Sequence, residues 1–212
     1  MVWAPPLLNT AVRLHLLAVG LTAHAPTTGV MNEPLRKAVH LIFGLAIACF
    51  ILFSERRLAL YALVIALFLG FILSDALSRG YTIPLVSTII ATLERRDVFP
   101  GKGALFFALG ALFSLTFFPK EVTFIGLVVL ALLDSVTTLV GLRFGRTRIY
   151  NHKSIEATLA GFAATTAALL FLIPAHAAIL TSAAAAFAEL VSPVDDNLIV
   201  PAVVCIVLTV LF

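Results

Sequence analysis

Long apolar runs alternate with short polar breaks along nearly the whole chain. The runs occupy roughly 37–54, 58–74, 103–119, 121–142, 155–173, 176–191 and 198–212. A membrane-spanning helix needs about 20 apolar residues, within a range of about 17 to 25, so the pattern predicts seven spans. Several are short, and their flanking polar side chains must reach the interface or the bilayer must thin locally. Pro174 and His176 split one long run into two helices, and Pro119-Lys120-Glu121 makes a tight reversal. Residues 82–96 (TIPLVSTIIATLERR) are less apolar and end in charge. They predict an interfacial or partly inserted helix that does not cross. The expected fold class is all-α, a polytopic transmembrane helix bundle with about seven spanning helices plus interfacial segments.

Composition agrees with that pattern. The 212 residues are 61% hydrophobic and 12% charged, with a mean hydropathy of +1.11. Soluble domains carry about 25% charged residues, so a soluble globular fold is excluded and an integral membrane protein is expected. The net charge of +3 is small for a nucleic-acid binder. Cys49 and Cys205 lie inside apolar runs, with no disulfide or metal spacing. The segment LLNTAVRLHLLAVGLTAHA lacks a basic leader, and Arg13 interrupts it. It is read as a retained interfacial or extra membrane helix rather than a signal peptide. The domain organisation is therefore an N-terminal apolar extension, 1–30, and a single membrane-embedded catalytic domain, 31–212. No internal repeat is visible.

Seven crossings assign every polar segment to a side. Segments 31–36, 75–102, 143–154 and 192–197 share one side, which carries Arg36, Lys37, Arg79, Arg95, Arg96, Lys102, Arg143, Arg146, Arg148 and Lys153. The other side carries Arg56, Arg57 and Lys120, and Arg13 stays unassigned. The bias of basic residues makes the first side cytoplasmic.

Four polar clusters fall on that side. The central one is DSVTTLVGLRFGRTRIYNHKSIEATLAG, Asp134 to Gly161. Here an acid inside one apolar helix is followed by a basic loop, and a second acid, Glu156, sits just inside the next helix. Charge at membrane depth is expensive and usually functional. Gly141 lies seven residues, about 10 Å, above Asp134, so the acid is below the surface but reachable from a funnel. A divalent cation, or Lys153 and Arg146, would keep it charged. Ser154 is placed to cap the following helix.

RKAVH, Arg36 to His40, opens a membrane helix. Arg36 and His40 are four apart and Lys37 and His40 three apart, so one face holds them together. A basic topology anchor accounts for Arg36 and Lys37. It does not account for a histidine one turn deeper, which suits a proton acceptor or a hydrogen-bond donor to a phosphate. ERRDVFPGKG, Glu94 to Gly103, precedes another helix, where free backbone amides favour anions and glycines allow close approach to phosphate. ELVSPVDDNLIVP, Glu189 to Pro201, places Asp195, Asp196 and Asn197 at a helix start. One cap needs one acid, and the surplus oxygens suit Mg²⁺ completed by nucleotide phosphates.

Together these clusters supply carboxylates, cations, one histidine and flexible glycines, and the partner they lack is a nucleoside triphosphate with Mg²⁺. Phosphoryl transfer depends mainly on positioning and charge neutralisation. There is no Walker A pattern or soluble-kinase signature, and a chain so largely embedded in the bilayer points to a lipid acceptor. The catalytic candidates are Asp134, His40 and Lys153. The phosphate-binding candidates are Arg36, Lys37, Gly101, Lys102, Gly141, Gly145, Arg146, Lys153 and Ser154. The metal candidates are Asp134, Glu156, Asp195, Asp196 and Asn197. A lipid cytidylyltransferase would use the same groups at the α-phosphate. A transporter is the non-enzymatic alternative, but its usual inverted repeats are absent from the sequence.

RKAVH, ERRDVFPGKGALFFALG, LLDSVTTLVGLRFGR with KSIEATLAG, and E with PVDDNLIVP resemble, in order, the motifs of the dolichol kinase, phytol kinase and CTP-dependent diacylglycerol kinase family. The third block is shared with phosphatidate cytidylyltransferases. The resemblance covers about 36 to 201. It implies transfer of the γ-phosphate of CTP to a polyprenol, a dolichol-like isoprenoid alcohol, with a diacylglycerol acceptor as the alternative. It also implies an active site facing the cytosol, in the cell membrane or, in a eukaryote, the endoplasmic reticulum. The chain departs from the family pattern at Leu133, Thr137 and Ala157, where smaller residues are usual, which bears on the choice of nucleotide.

Overall fold

The computed structural model describes residues 33–93, 99–150 and 153–212. The expectations for residues 1–30, and for Glu94, Arg95 and Arg96, lie outside the described residues.

Among the described residues there are eight helices: α1 (Glu33–Phe53), α2 (Arg56–Ser78), α3 (Val86–Leu93), α4 (Lys102–Phe117), α5 (Lys120–Phe144), α6 (Ile155–Leu169), α7 (Ala175–Val191) and α8 (Asp196–Leu211). All seven apolar runs are helical, and the polar-ended segment yields the short α3. The all-helical expectation needs one addition. The basic loop folds into a two-stranded antiparallel hairpin, β1 (Arg148–Tyr150) with β2 (Lys153–Ser154).

The helices are shorter than seven spans require. Only α1, α2 and α5 are long and apolar enough to cross a membrane. The helices α4, α6, α7 and α8 have 16, 15, 17 and 16 residues. At 1.5 Å per residue they measure about 23–26 Å, against about 30 Å of hydrocarbon. Prolines set some of these limits. Phe118 precedes Pro119 and is extended, with φ −124° and ψ 160°, because the proline ring disfavours the helical conformation before it. Pro174, like Pro119, is the residue from which the next helix starts.

The helix α5 is the centre of the bundle and packs against α1, α6 and α8. Its residues Leu127 to Ala131 are buried in an unbroken run. A helix that is apolar all round belongs in a core, and α5 occupies one. By contrast α2 buries only Ala59, Leu63, Leu67 and Ser74. Its large side chains, among them Phe68, Phe71 and Tyr61, are exposed, as expected of a face against lipid. The helix α7 meets its neighbours through small residues such as Ala178, Ala185 and Ala186, which let backbones approach closely in a membrane.

One such approach positions the start of α8. Pro201 has no N–H to give the Asn197 carbonyl one turn earlier. That carbonyl oxygen would lie 2.2 Å from a Cβ placed on Gly110 of α4. Only glycine lets α4 sit this close, and the Asp195-Asp196-Asn197 segment is held at that contact.

Candidate active site

All seven long helices, together with the turn at Ser192, Val194 and Asp195, line a cavity of about 1080 Å³. The contributions follow a rule. Those of α1, α4, α6 and α8 include residues near their N-terminal ends, and those of α2, α5 and α7 come from their C-terminal halves. The helices therefore alternate in direction, and all seven present the same end to one space.

Among the described residues, three lysine–aspartate ion pairs border it. Lys37 on α1 is buried, and its Nζ lies 2.5 and 2.6 Å from the two carboxylate oxygens of Asp134 on α5. His40, one turn deeper on the same face, places Nε2 3.3 Å from Asp134 Oδ2. Its ring stands edge-on to Phe107, with centroids 5.6 Å apart. Ser135 Oγ donates to the Lys37 carbonyl at 3.3 Å, tying α5 to the backbone of α1. Two charges leave water here only because each meets the other, since an unpaired buried ion costs several kcal/mol.

The second pair is Lys153 of β2 with Asp196 of α8, at 2.8 Å. The Lys153 ammonium also donates to the backbone carbonyl of Glu189. The third is Lys102 with Asp195, at 3.5 Å. Asp195 caps α8, its Oδ1 accepting from the Asn197 N–H at 3.2 Å. Lys102 follows Gly101, which takes the left-handed conformation at φ 79° that favours glycine. The loop before it is clamped by Ser74 Oγ, which donates to the Pro100 carbonyl at 2.5 Å.

Arg36, Gly141 and Ser154 also line the cavity. Ser154 caps α6 as expected, accepting from the Ala157 N–H at 3.3 Å. Three candidates are not brought to the cavity. Glu156 accepts hydrogen bonds from the backbone N–H groups of Arg146 and Thr147, at 3.1–3.3 Å, and so fastens the base of the hairpin. Arg146 is exposed beside it. Gly145 ends α5, where a Cβ would come within 2.8 Å of Ser154 Oγ. The reason is helical geometry. Ser154 and Ala157 are three apart and share the cavity-facing side of α6, whereas Glu156 points away. In place of Arg146, the hairpin offers Arg148 to the cavity.

Glu189 and Thr137 were not among the candidates, although both line the cavity. Thr137 Oγ1 donates to Glu189 Oε1 at 2.7 Å, and Glu189 is only 4% exposed. A carboxylate near the end of an apolar helix is itself the signal that marked Asp134, so Glu189 was legible. Thr137 was marked only as a departure from the family pattern, one turn after Asp134, and not as a partner of Glu189.

The donor set fits a hard cation, because several of its oxygens are unmatched. Glu189 Oε2, Asp196 Oδ1 and Asn197 Oδ1 are buried without hydrogen-bond partners. Among the described residues, no three of His, Cys, Asp or Glu converge as a self-sufficient metal cage. Magnesium seldom needs one, since it takes one or two carboxylates with water and substrate phosphates. Both oxygens of Asp134, also a metal candidate, are occupied by Lys37.

No family model matches the chain, and no solved structure matches it. Uncharacterized protein MJ1137 of Methanocaldococcus jannaschii is 35% identical over 185 residues, 84% of this chain and 93% of that protein. The chain belongs to the MJ1137 family. Over a shorter stretch the chain is also similar to CTP-dependent diacylglycerol kinase 1 of Saccharomyces cerevisiae. That match is 30% identical over 77 residues, 35% of this chain and 27% of the yeast protein.

Proposed function

We propose that the chain is an integral membrane kinase that transfers the γ-phosphate of CTP to the hydroxyl of a polyprenol, giving the polyprenyl monophosphate. One observation carries the reading. Lys37 with Asp134, Lys102 with Asp195 and Lys153 with Asp196 border a single cavity at the common end of the apolar helices. Carboxylates alone would suit a cation, and cations alone an anion. Both around one space suit a triphosphate with its metal. The likeness to a yeast CTP-dependent diacylglycerol kinase supports a CTP-dependent lipid kinase. The motif resemblance supports a polyprenol as the acceptor.

In this reading Lys102, Lys153, Arg36 and Arg148 neutralise phosphate oxygens. Glu189, Asp196 and Asn197, with Asp195 beside them, hold Mg²⁺. When bound, Mg²⁺ supplies charge neutralisation on the phosphates. The alcohol oxygen attacks the γ-phosphorus in line, the bond to the β–γ bridging oxygen breaks, and CDP departs. His40 takes the hydroxyl proton, and Asp134 stabilises the imidazolium, as a carboxylate does for a general-base histidine elsewhere. The four shorter helices cross by local thinning of the bilayer, giving seven crossings. The excess of basic residues at that end supports a cavity that faces the cytosol.

The test is the position of the label. With CTP labelled at the γ-phosphate, the lipid product becomes labelled. Label reaching the lipid from the α-phosphate instead would identify a cytidylyltransferase and overturn the kinase.

A further inference from the structure

The cavity does not end at its charged groups. From His40, the same face of α1 continues through Phe43, Gly44 and Ile47, at intervals of three and four residues. Facing it, α2 contributes Ser74, Leu73, Gly70 and Ala66 at matching intervals. Both walls therefore pass from polar to apolar in the same direction. His40 to Ile47 spans about 10 Å and Ser74 to Ala66 about 12 Å, at 1.5 Å per residue.

The packing leaves this arm open to the side. The helix α1 lies mainly along α5 and α2 along α4, so α1 and α2 meet over few residues. Phe43 is 64% exposed at the edge of the gap, and Ala66 is exposed within it. Phe107 of α4 lines the same cavity and touches the His40 ring, so the polar and apolar parts meet at the histidine. Ligand sites are typically concave and apolar with a few convergent polar groups, and this arm has that form.

We infer that the gap between α1 and α2 is a lateral groove that seats the hydrocarbon chain of the acceptor alcohol, with its hydroxyl at His40. The inference rests on the kinase reading for the identity of the acceptor. The continuity of the arm with the charged cavity is what selects this occupant. A bilayer lipid without a head group reaching His40 would leave the polar end unmatched. A chain ending in a hydroxyl matches both ends, and it enters from the bilayer without leaving apolar surroundings.

The experiment uses the full-length protein in lipid nanodiscs and a polyprenol analogue with a photoreactive group about 10 Å from its hydroxyl. On irradiation, the label is expected on peptides containing Phe43 to Ile47 or Ala66 to Leu73. Label confined to α7 and α8, where Leu180, Ala184 and Ile206 line a second cavity of about 340 Å³, would overturn the groove. A second measurement uses turnover. In Ala66→Phe, kcat/KM for a long-chain polyprenol should fall at least tenfold relative to that for a short-chain isoprenoid alcohol. The control Leu69→Phe, on the outward face of α2, should leave that ratio unchanged. An unchanged ratio in Ala66→Phe would also overturn the groove. The two readings fail separately. If no acceptor receives phosphate from CTP, the kinase reading fails, while the crosslink needs no turnover and still reports on the groove.

Discussion

Lys37 reaches across 97 positions of sequence to hold both carboxylate oxygens of Asp134, at 2.5 and 2.6 Å. The contact joins α1 to α5 within the cavity, where its charged part meets its apolar arm. It also fixes His40, which lies on the same face of α1 and 3.3 Å from the same carboxylate.

Breaking that pair from one side leaves a buried charge alone. Lys37→Met is expected to cost about 3–5 kcal/mol, read as a lowered Tm in detergent. Asp134→Asn should still fold and lose turnover by roughly 10²-fold or more. The double variant Lys37→Met with Asp134→Leu should regain much of the stability of Lys37→Met and none of the activity. Wild-type-like turnover in Asp134→Asn would remove Asp134 from the chemistry.

On the proposed reading Glu189 holds Mg²⁺, and its variants separate that role from folding. Glu189→Gln keeps the shape and an acceptor for Thr137 but removes a charge, so the Mg²⁺ concentration for half-maximal label transfer should rise about tenfold, equivalent to about 1.4 kcal/mol. Thr137→Val takes away the donor to Glu189 Oε1 and should destabilise the protein by about 1–3 kcal/mol. An unchanged Mg²⁺ requirement in Glu189→Gln would assign Glu189 a purely structural part.

The two acids Glu156 and Asp196 should behave in opposite ways. Glu156 is engaged with backbone N–H groups at the hairpin base, so Glu156→Gln should keep activity within about threefold, close to the worth of one hydrogen bond. Asp196 carries the Lys153 ion pair and a buried oxygen without a partner. Asp196→Asn should lose roughly 10²-fold or more in kcat/KM. Equal effects in the two variants would show that the cavity does not mark the site.

Gly110 tests the seating of α8. A Cβ there would fall 2.2 Å from the Asn197 carbonyl oxygen, so Gly110→Ala must push α4 and α8 apart. Overpacking of this kind costs about 1–3 kcal/mol. The expected result is a lower Tm together with weaker nucleotide binding, because Asp195 to Asn197 move with α8. A loss of stability without any change in nucleotide binding would detach that segment from the site.

Much of this was legible before the fold was known. The seven apolar runs announced seven helices, and prolines 119 and 174 announced their breaks, because apolar content and proline geometry act locally. Asp134, Asp195, Asp196, Lys102, Lys153 and His40 stood out because charge in apolar sequence is costly and rarely idle. Glu156 stood out for the same reason, yet it serves the hairpin, since nothing in the linear order tells which side of α6 faces the cavity. Thr137 stood out only against the family pattern, and its bond to Glu189 gave no signal, because a threonine in a membrane helix costs little wherever it points.

The sequence by itself determined the helical class, the membrane setting and the residue types at the charged end, since all three follow from local hydrophobicity and spacing. The tertiary structure alone decided the partners: Lys37 rather than Lys153 or Arg146 on Asp134, Arg148 rather than Arg146 at the cavity, Glu189 on Thr137. These pairings join helices far apart in the chain. They depend on which faces pack together and how closely glycines such as Gly110 let them come, and that is information spread over the whole bundle.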